Sequence, residues 1–156
     1  MTLVVSLKEI IIAMDFGSDD FHSYLNKDTG EIITITDEEI SAIQNGDDWN
    51  DYPEWQHEAL ASAQKVRDSS DFLPLPGQFD IHEYAIMEKF CYSVSDQNIS
   101  NELSILIQGS GAFRRFKDAI RQHGFENDWY RFRDQALEEI AVEWLDRNGI
   151  AYSKAN

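Results

Sequence analysis

From Gly111 to Ile150 the chain reads GAFRRFKDAIRQHGFENDWYRFRDQALEEIAVEWLDRNGI, two stretches with apolar residues at intervals of three and four, each stopped by a glycine and an apolar residue. That spacing puts the apolar side chains on one face of a helix, so the segment predicts two amphipathic helices that bury their stripes in a shared core. In the first, Phe113, Phe116, Ile120 and His123 share a face, Ser110 is the expected N-cap, and Gly124 with Phe125 supplies the stop. In the second, Asn127 or Asp128 is the expected cap, Trp129, Phe132, Ile140, Ala141, Trp144 and Leu145 form the stripe, and Gly149 with Ile150 ends it. Glu143 and Arg147 stand at the i, i+4 spacing of a favourable helical ion pair.

Upstream, Ser6 to Phe16 reads as a helix capped by Ser6, with Leu7, Ile10, Ile11 and Met14 inward, followed by a turn over residues 17–20. Phe21–Asn26 and Glu31–Thr36 alternate with period two: Phe21 and Leu25 share a face, as do Ile33 and Ile35. Lys27–Gly30 places glycine for a bulged hairpin turn. Thr36 and Glu39 form a capping-box pattern for a helix to Asn45, with Gly46 beyond it. An acidic loop, 47–54, carries Trp49 and Tyr52, and Pro53 introduces a helix over Glu54–Arg67. Residues 68–79 are rich in serine, proline and glycine, with a hinge expected near 69–77. Asp80 is the expected cap of a helix containing Ile81, Tyr84, Ala85, Glu88 and Tyr92, and Ser95 that of one ending near Gln108. The expected class is therefore α+β: a mainly helical single domain over 1–156, with a small antiparallel hairpin or sheet near the N-terminus and two C-terminal amphipathic helices. Sub-domains over 1–70 and 78–150 are compatible with the hinge.

The runs AFRRFKDAI and HGFENDWYRFRDQALEEIAVEWL, together with Tyr24-Leu25-Asn26-Lys27-Asp28-Thr29-Gly30-Glu31-Ile32, resemble uncharacterised protein family 0158, a bacterial family, and the likeness extends over most of the chain, roughly Val4 to Ile150. The resemblance implies the fold and a bacterial origin. It implies no activity, cofactor or catalytic residue. Asn26 stands where the resemblance leads one to expect aspartate, which argues against a metal ligand at the hairpin.

The formal net charge is −16, unevenly spread: residues 1–108 hold 21 acidic and 5 basic side chains, whereas 111–133 hold 3 acidic and 6 basic. A negative surface repels nucleic acid and anionic membranes, so nucleic acid is disfavoured as a partner. No run of apolar residues is long enough for a membrane span, and Lys8 and Glu9 interrupt the apolar N-terminal stretch, so a cytoplasmic protein is expected. The single Cys91 excludes an intrachain disulfide and reads as a buried structural thiol. His22, His57, His82 and His123 are scattered, and His82-Glu83 is followed by Ile86 where a zinc-protease helix needs histidine. Asp15, Asp19, Asp20 and Glu31 are the carboxylates that a metal would need, yet turn and cap duties account for Asp19 and Asp20, and no metal or other cofactor is expected.

Two regions are candidates for binding. Trp49, Tyr52 and Trp55 lie among Asp47, Asp48, Asp51 and Glu54, a combination that suits docking to a basic protein, and Arg131 and Arg133 flank Phe132 in the last helix. Ser110, Arg114, Arg115, Lys117 and Arg121 surround a helix start, where free amides attract anions, although internal pairing of the arginines with carboxylates is the simpler expectation. No nucleophile stands in a recognisable constellation with a base, which favours a protein without catalysis. The leading expectation is a cytosolic interaction or regulatory protein with an unidentified protein partner, its oligomeric state open. The alternatives are an enzyme or regulator acting on a phosphate-containing ligand at Gly109–Arg121, and an acidic mimic of nucleic acid.

Overall fold

The computed structural model describes residues 3–16 and 20–154. Of the turn expected over residues 17–20, residues 17–19, Asp19 among them, lie outside the described residues. The elements run β1 (Val4–Ser6), α1 (Leu7–Phe16), β2 (Phe21–Asn26), β3 (Ile32–Thr36), α2 (Asp37–Asn45), two single 3-10 turns (Trp49–Asp51 and Glu54–Gln56), α3 (His57–Asp68), β4 (Phe72–Pro74), α4 (Gln78–Ile81), α5 (Glu83–Ser93), α6 (Gln97–Leu106), α7 (Ala112–His123), α8 (Glu126–Arg147) and β5 (Ala151–Ser153). The fold is α+β and mainly helical. It comprises two compact units, Met1–Ile81 with Ile140–Asn156, and His82–Glu139. No helix among the described residues is long and apolar enough to cross a membrane.

The first unit is built on a three-stranded antiparallel sheet in the order β3-β2-β4. Tyr24 pairs with Ile33 and with Pro74, and Leu25 with Ile32 and Leu73, so successive residues point to opposite faces. One face carries Ile33, Ile35 and Phe72, buried with Ala42 and Ile43 of α2 and Leu60 and Ala63 of α3. The other carries Leu25, fully buried, and Phe21, which is 39% exposed although it shares that face. On this second face Ser23 and Thr34 join their hydroxyls across the strands at 2.8 Å.

The hairpin turn explains Asn26. Its side-chain oxygen accepts from the amides of Asp28 and Thr29 at 2.8 and 3.1 Å, so it shapes the turn rather than awaiting a cation. Gly30 has φ +80°, and a Cβ there would press on Leu3 at 3.3 Å. The capping box forms as expected: Thr36 accepts from the Glu39 amide while Glu39 accepts from the Thr36 amide and hydroxyl. Within the stretch expected to be a linker, Phe72–Pro74 is a strand on β2. A further small sheet, β1 parallel to β5, pairs Val4 with Ala151 through Ser6 with Ser153. Three-residue strands are too short to show a period, so neither was foreseen.

The second unit is helical. Phe90, Phe116, Trp129 and Phe132 meet edge to face, with ring centroids 4.8 to 5.9 Å apart. Such pairs add about 0.5–1.5 kcal/mol beyond the area that they bury. Several local expectations are corrected here. The helix expected from Asp80 breaks at His82, whose φ is +52°, and restarts at Glu83. Its buried face is Ile86, Met87, Phe90 and Cys91, leaving Tyr84 and Tyr92 exposed. Asp96, not Ser95, caps α6 by accepting from the amides of Asn98 and Ile99.

In α7 the N-cap is Gly111 in the left-handed conformation, not Ser110, whose carbonyl accepts from Arg115. Its buried residues are Ala112, Phe116, Ala119 and Ile120, and Phe113 is 41% exposed. Gly124 closes α7 as expected, its amide donating to Ile120 and Arg121 carbonyls. Phe125 follows and stacks on His123 at 5.9 Å. Asn127 and Asp128 fall inside the first turn of α8 rather than before it. Along α8, Trp129, Leu137, Ala141, Trp144 and Leu145 are buried and Phe132 is half-buried.

Candidate functional site

In the first unit, the acidic loop is a constructed ledge. Asp48 accepts from the Asn50 amide at 3.0 Å and starts the first 3-10 turn. The Tyr52 hydroxyl donates to Asp47 at 2.8 Å, and this bond, with burial and the charges of Asp47, Glu38 and Asp51, holds the phenol above its ordinary pKa of 10.0. Trp49 and Tyr52 pack against the core cluster. Their half-burial corrects any picture of three equally free aromatics: Trp55 alone is 78% exposed.

The two residues that follow Trp55 are anchored by their side chains. Before α3, Gln56 is 5% exposed and its amide donates to Glu39 at 3.1 Å, while Glu39 itself is 6% exposed. Next to it, His57 Nε2 lies 2.7 Å from the Trp49 carbonyl and 3.1 Å from that of Tyr52. Both partners are acceptors, so Nε2 carries the proton and donates to them. Exposed carboxylates at Asp47, Asp48, Asp51 and Glu54 surround this mount. Glu39 was legible from the capping box, but Gln56 and His57 carried no local signal of their roles.

The second unit holds the residues considered for an anion. Arg115 donates to the carbonyls of Leu106, Gln108 and Ser110 at 2.8, 2.6 and 2.6 Å, closing the C-terminal end of α6. A cation there also suits the negative end of the helix dipole. Its partners are carbonyls, where carboxylates were expected. Arg121 pairs with Glu126 at 3.5 Å in solvent, while Arg114 and Lys117 are exposed. Ser110 is exposed in the loop before α7.

Arg131 pairs with Asp128 at 2.5 Å, with 77% of its side chain exposed. Arg133 grips Glu83 at the start of α5 with both its Nε and a terminal nitrogen, an internal pair within the second unit. Two further histidines meet carboxylates, His22 with Asp37 at 2.6 Å and His123 with Glu102 at 3.0 Å, while His82 is exposed at the break before α5. Among the described residues no group of three or more histidine, cysteine, aspartate or glutamate side chains is placed to hold a metal. Cys91 is buried, and that burial pushes its thiol up to about 11.

The chain is thus a mainly helical α+β protein with an asparagine-shaped hairpin turn and a Gly-Phe stop between two helices rich in arginine and aromatic residues. Residues 1–155 match the model of the uncharacterised protein family UPF0158, and the chain belongs to that family. It is similar to a UPF0158 protein of Pseudomonas aeruginosa, 22% identical over 149 residues that cover 95% of this chain and 85% of the relative. No solved structure matches the chain. Neither description carries an activity, so function rests on the side chains.

Proposed function

We propose that this chain is a non-catalytic, cytoplasmic interaction or regulatory protein that presents Trp55 to a basic protein partner. The observation that carries the reading is the mounting of Trp55: a side chain 78% exposed on a backbone held by Gln56 and His57. Little ordering entropy is then lost at the backbone on docking, and a buried tryptophan is the residue type most often found at the energetic centre of an interface. The carboxylates around it steer a basic surface and fix its register. A single free, buried cysteine suits a reducing compartment. Arg133 is held by Glu83, which leaves the ledge as the better docking surface than α8. Arg115 is engaged by three carbonyls, which places a phosphate ligand at Gly109–Arg121 behind the interaction reading. An acidic mimic of nucleic acid needs carboxylates in a regular row, and in the ledge Asp48 serves as a cap and Asp47 as a tyrosine acceptor.

The test is a photoreactive phenylalanine in place of Trp55, compared in bacterial cells with the same group in place of exposed Tyr92. A discrete protein adduct from position 55 alone, lost when Asp51 and Glu54 are both changed to lysine, is the expected result. No adduct, or the same adducts from both positions, rejects the proposal.

A further inference from the structure

The turn that carries Trp55 runs without a break into α3. Glu54–Gln56 is a 3-10 turn, Gln56 and His57 have helical dihedral angles (φ −89° and ψ −10°; φ −63° and ψ −34°), and α3 starts at His57. Residues three apart lie on the same side of such a run, so Glu58 stands one turn beyond Trp55, with Cβ atoms about 5–6 Å apart. Both are exposed. The run is fixed from within, because Gln56 donates to buried Glu39 and His57 to the Trp49 and Tyr52 carbonyls. The carboxylates nearby differ in how far they are engaged. Asp47 accepts from Tyr52 and Asp48 from the Asn50 amide, whereas Asp51, Glu54 and Glu58 have neither an ion pair nor a side-chain hydrogen bond among the described residues. Trp49 and Tyr52 pack on the core, so Trp55 offers one open ring and not the aromatic cage that holds a free ammonium ligand.

We propose that Trp55 and Glu58 together receive an arginine side chain of the protein partner and discriminate it from lysine. The inference rests on the ledge reading and adds which side chain of the partner is read. A guanidinium is planar and weakly hydrated, so its face lies on the indole while its N–H edge donates to the Glu58 carboxylate. A lysine ammonium is a compact, strongly hydrated charge that meets one of the two groups at a time. Asp51 and Glu54 attract either cation through the field they add, without regard to its shape. Discrimination therefore belongs to the pair Trp55 and Glu58, and attraction to the ledge as a whole.

Capped peptides Gly-Arg-Gly, Gly-Lys-Gly and Gly-citrulline-Gly, titrated into isotope-labelled protein, provide the test. Citrulline keeps the shape of arginine and removes its charge. The arginine peptide should shift the Trp55 indole N–H and the Glu58 amide saturably, and bind about three- to tenfold more tightly than the lysine peptide. The citrulline peptide should leave both signals in place. Trp55→Ala and Glu58→Gln, changes at exposed positions, should each weaken the arginine peptide, and in Glu58→Gln the preference for arginine should fall to less than about twofold. Asp51→Asn should weaken the arginine and lysine peptides equally. The proposal is overturned if no shift appears, if lysine or citrulline binds as tightly as arginine, if either variant at Trp55 or Glu58 keeps the full preference, or if shifts spread over the whole acidic surface. Should that happen while the photo-adduct at position 55 persists, the ledge still docks a partner and only the arginine assignment is lost. Loss of the adduct as well removes the ledge reading with it.

Discussion

The sheet-containing unit holds 19 acidic and 6 basic side chains, a formal charge of −13, whereas the helical unit holds 10 and 7, a charge of −3. Their cores differ in the same measure. The first packs β-branched and small residues, Ile33, Ile35, Ala42, Ile43 and Ala63, between a sheet and two helices. The second gathers Phe90, Phe116, Trp129 and Phe132 edge to face between helices. Both nevertheless solve one problem alike, an arginine from a later helix closing the carbonyl end of an earlier one: Arg67 donates to Ile43 at 2.6 Å, and Arg115 to three carbonyls after α6. A positive region in sequence therefore does not make a positive binding site. In the helical unit Arg115 and Arg133 are engaged internally, whereas Arg114, Arg121 and Arg131 stay at the surface.

The largest expected effect separates the two cores. Trp129→Ala should cost about 3–5 kcal/mol, and Trp144→Ala, in the last part of α8, a similar amount. Hydrogen exchange localises each loss: Trp129→Ala should speed exchange in α5 and α7 and leave β2 and β3 protected. Equal acceleration throughout would show that the two units open as one. Next, Arg115→Ala should lower stability by about 2 kcal/mol, because three carbonyls lose a charged donor, while Arg114→Ala stays within about 0.5 kcal/mol. Denaturant titration measures both, and the reverse order would return Arg115 to the anion-binding candidates.

A third expectation concerns pH. The Cys91 thiol rises from 9.0 to about 11 because burial disfavours the thiolate, with the backbone lowering it and Glu88 raising it. Its contribution to stability is thus fully present below about pH 9 and is lost as pH rises through 11, at most about 1.4 kcal/mol per unit for one proton. Melting curves of the wild type and Cys91→Ala should converge over that range, and parallel curves would sever the link. The smallest effect is that of salt. Raising ionic strength from about 0.01 to 0.15 M contracts the screening length from about 30 to 8 Å, which should stabilise the −13 unit by a few degrees and the −3 unit less. Equal shifts by residue-resolved thermal exchange would mean that the charge imbalance has no energetic consequence.

Legibility followed the range of the interactions involved. The hairpin, the capping box of α2 and the glycine stops of α2, α7 and α8 are short-range chemistry, complete within a few residues, and the structure has them where the spacing puts them. The ledge was half legible: its composition marked Trp49, Tyr52 and Trp55 together, but burial of the first two depends on the core cluster of sheet, α2 and α3 assembling against them. The open groove between α1 and β3, lined by Ile12, Ala13, Ile32 and Thr34, left no trace, because its walls come from two separate segments that only the fold brings together.

What the sequence determined by itself is the family, the mainly helical α+β class and the excess of negative charge, since each follows from local pattern or from counting. Only tertiary structure decided which side chains remain available. Whether Arg115 meets an anion or three carbonyls, and whether Trp55 or Trp49 faces solvent, depends on what other segments bring within a few ångströms. Hydrogen bonds and desolvation act over that distance in space, and spacing along the chain does not record it.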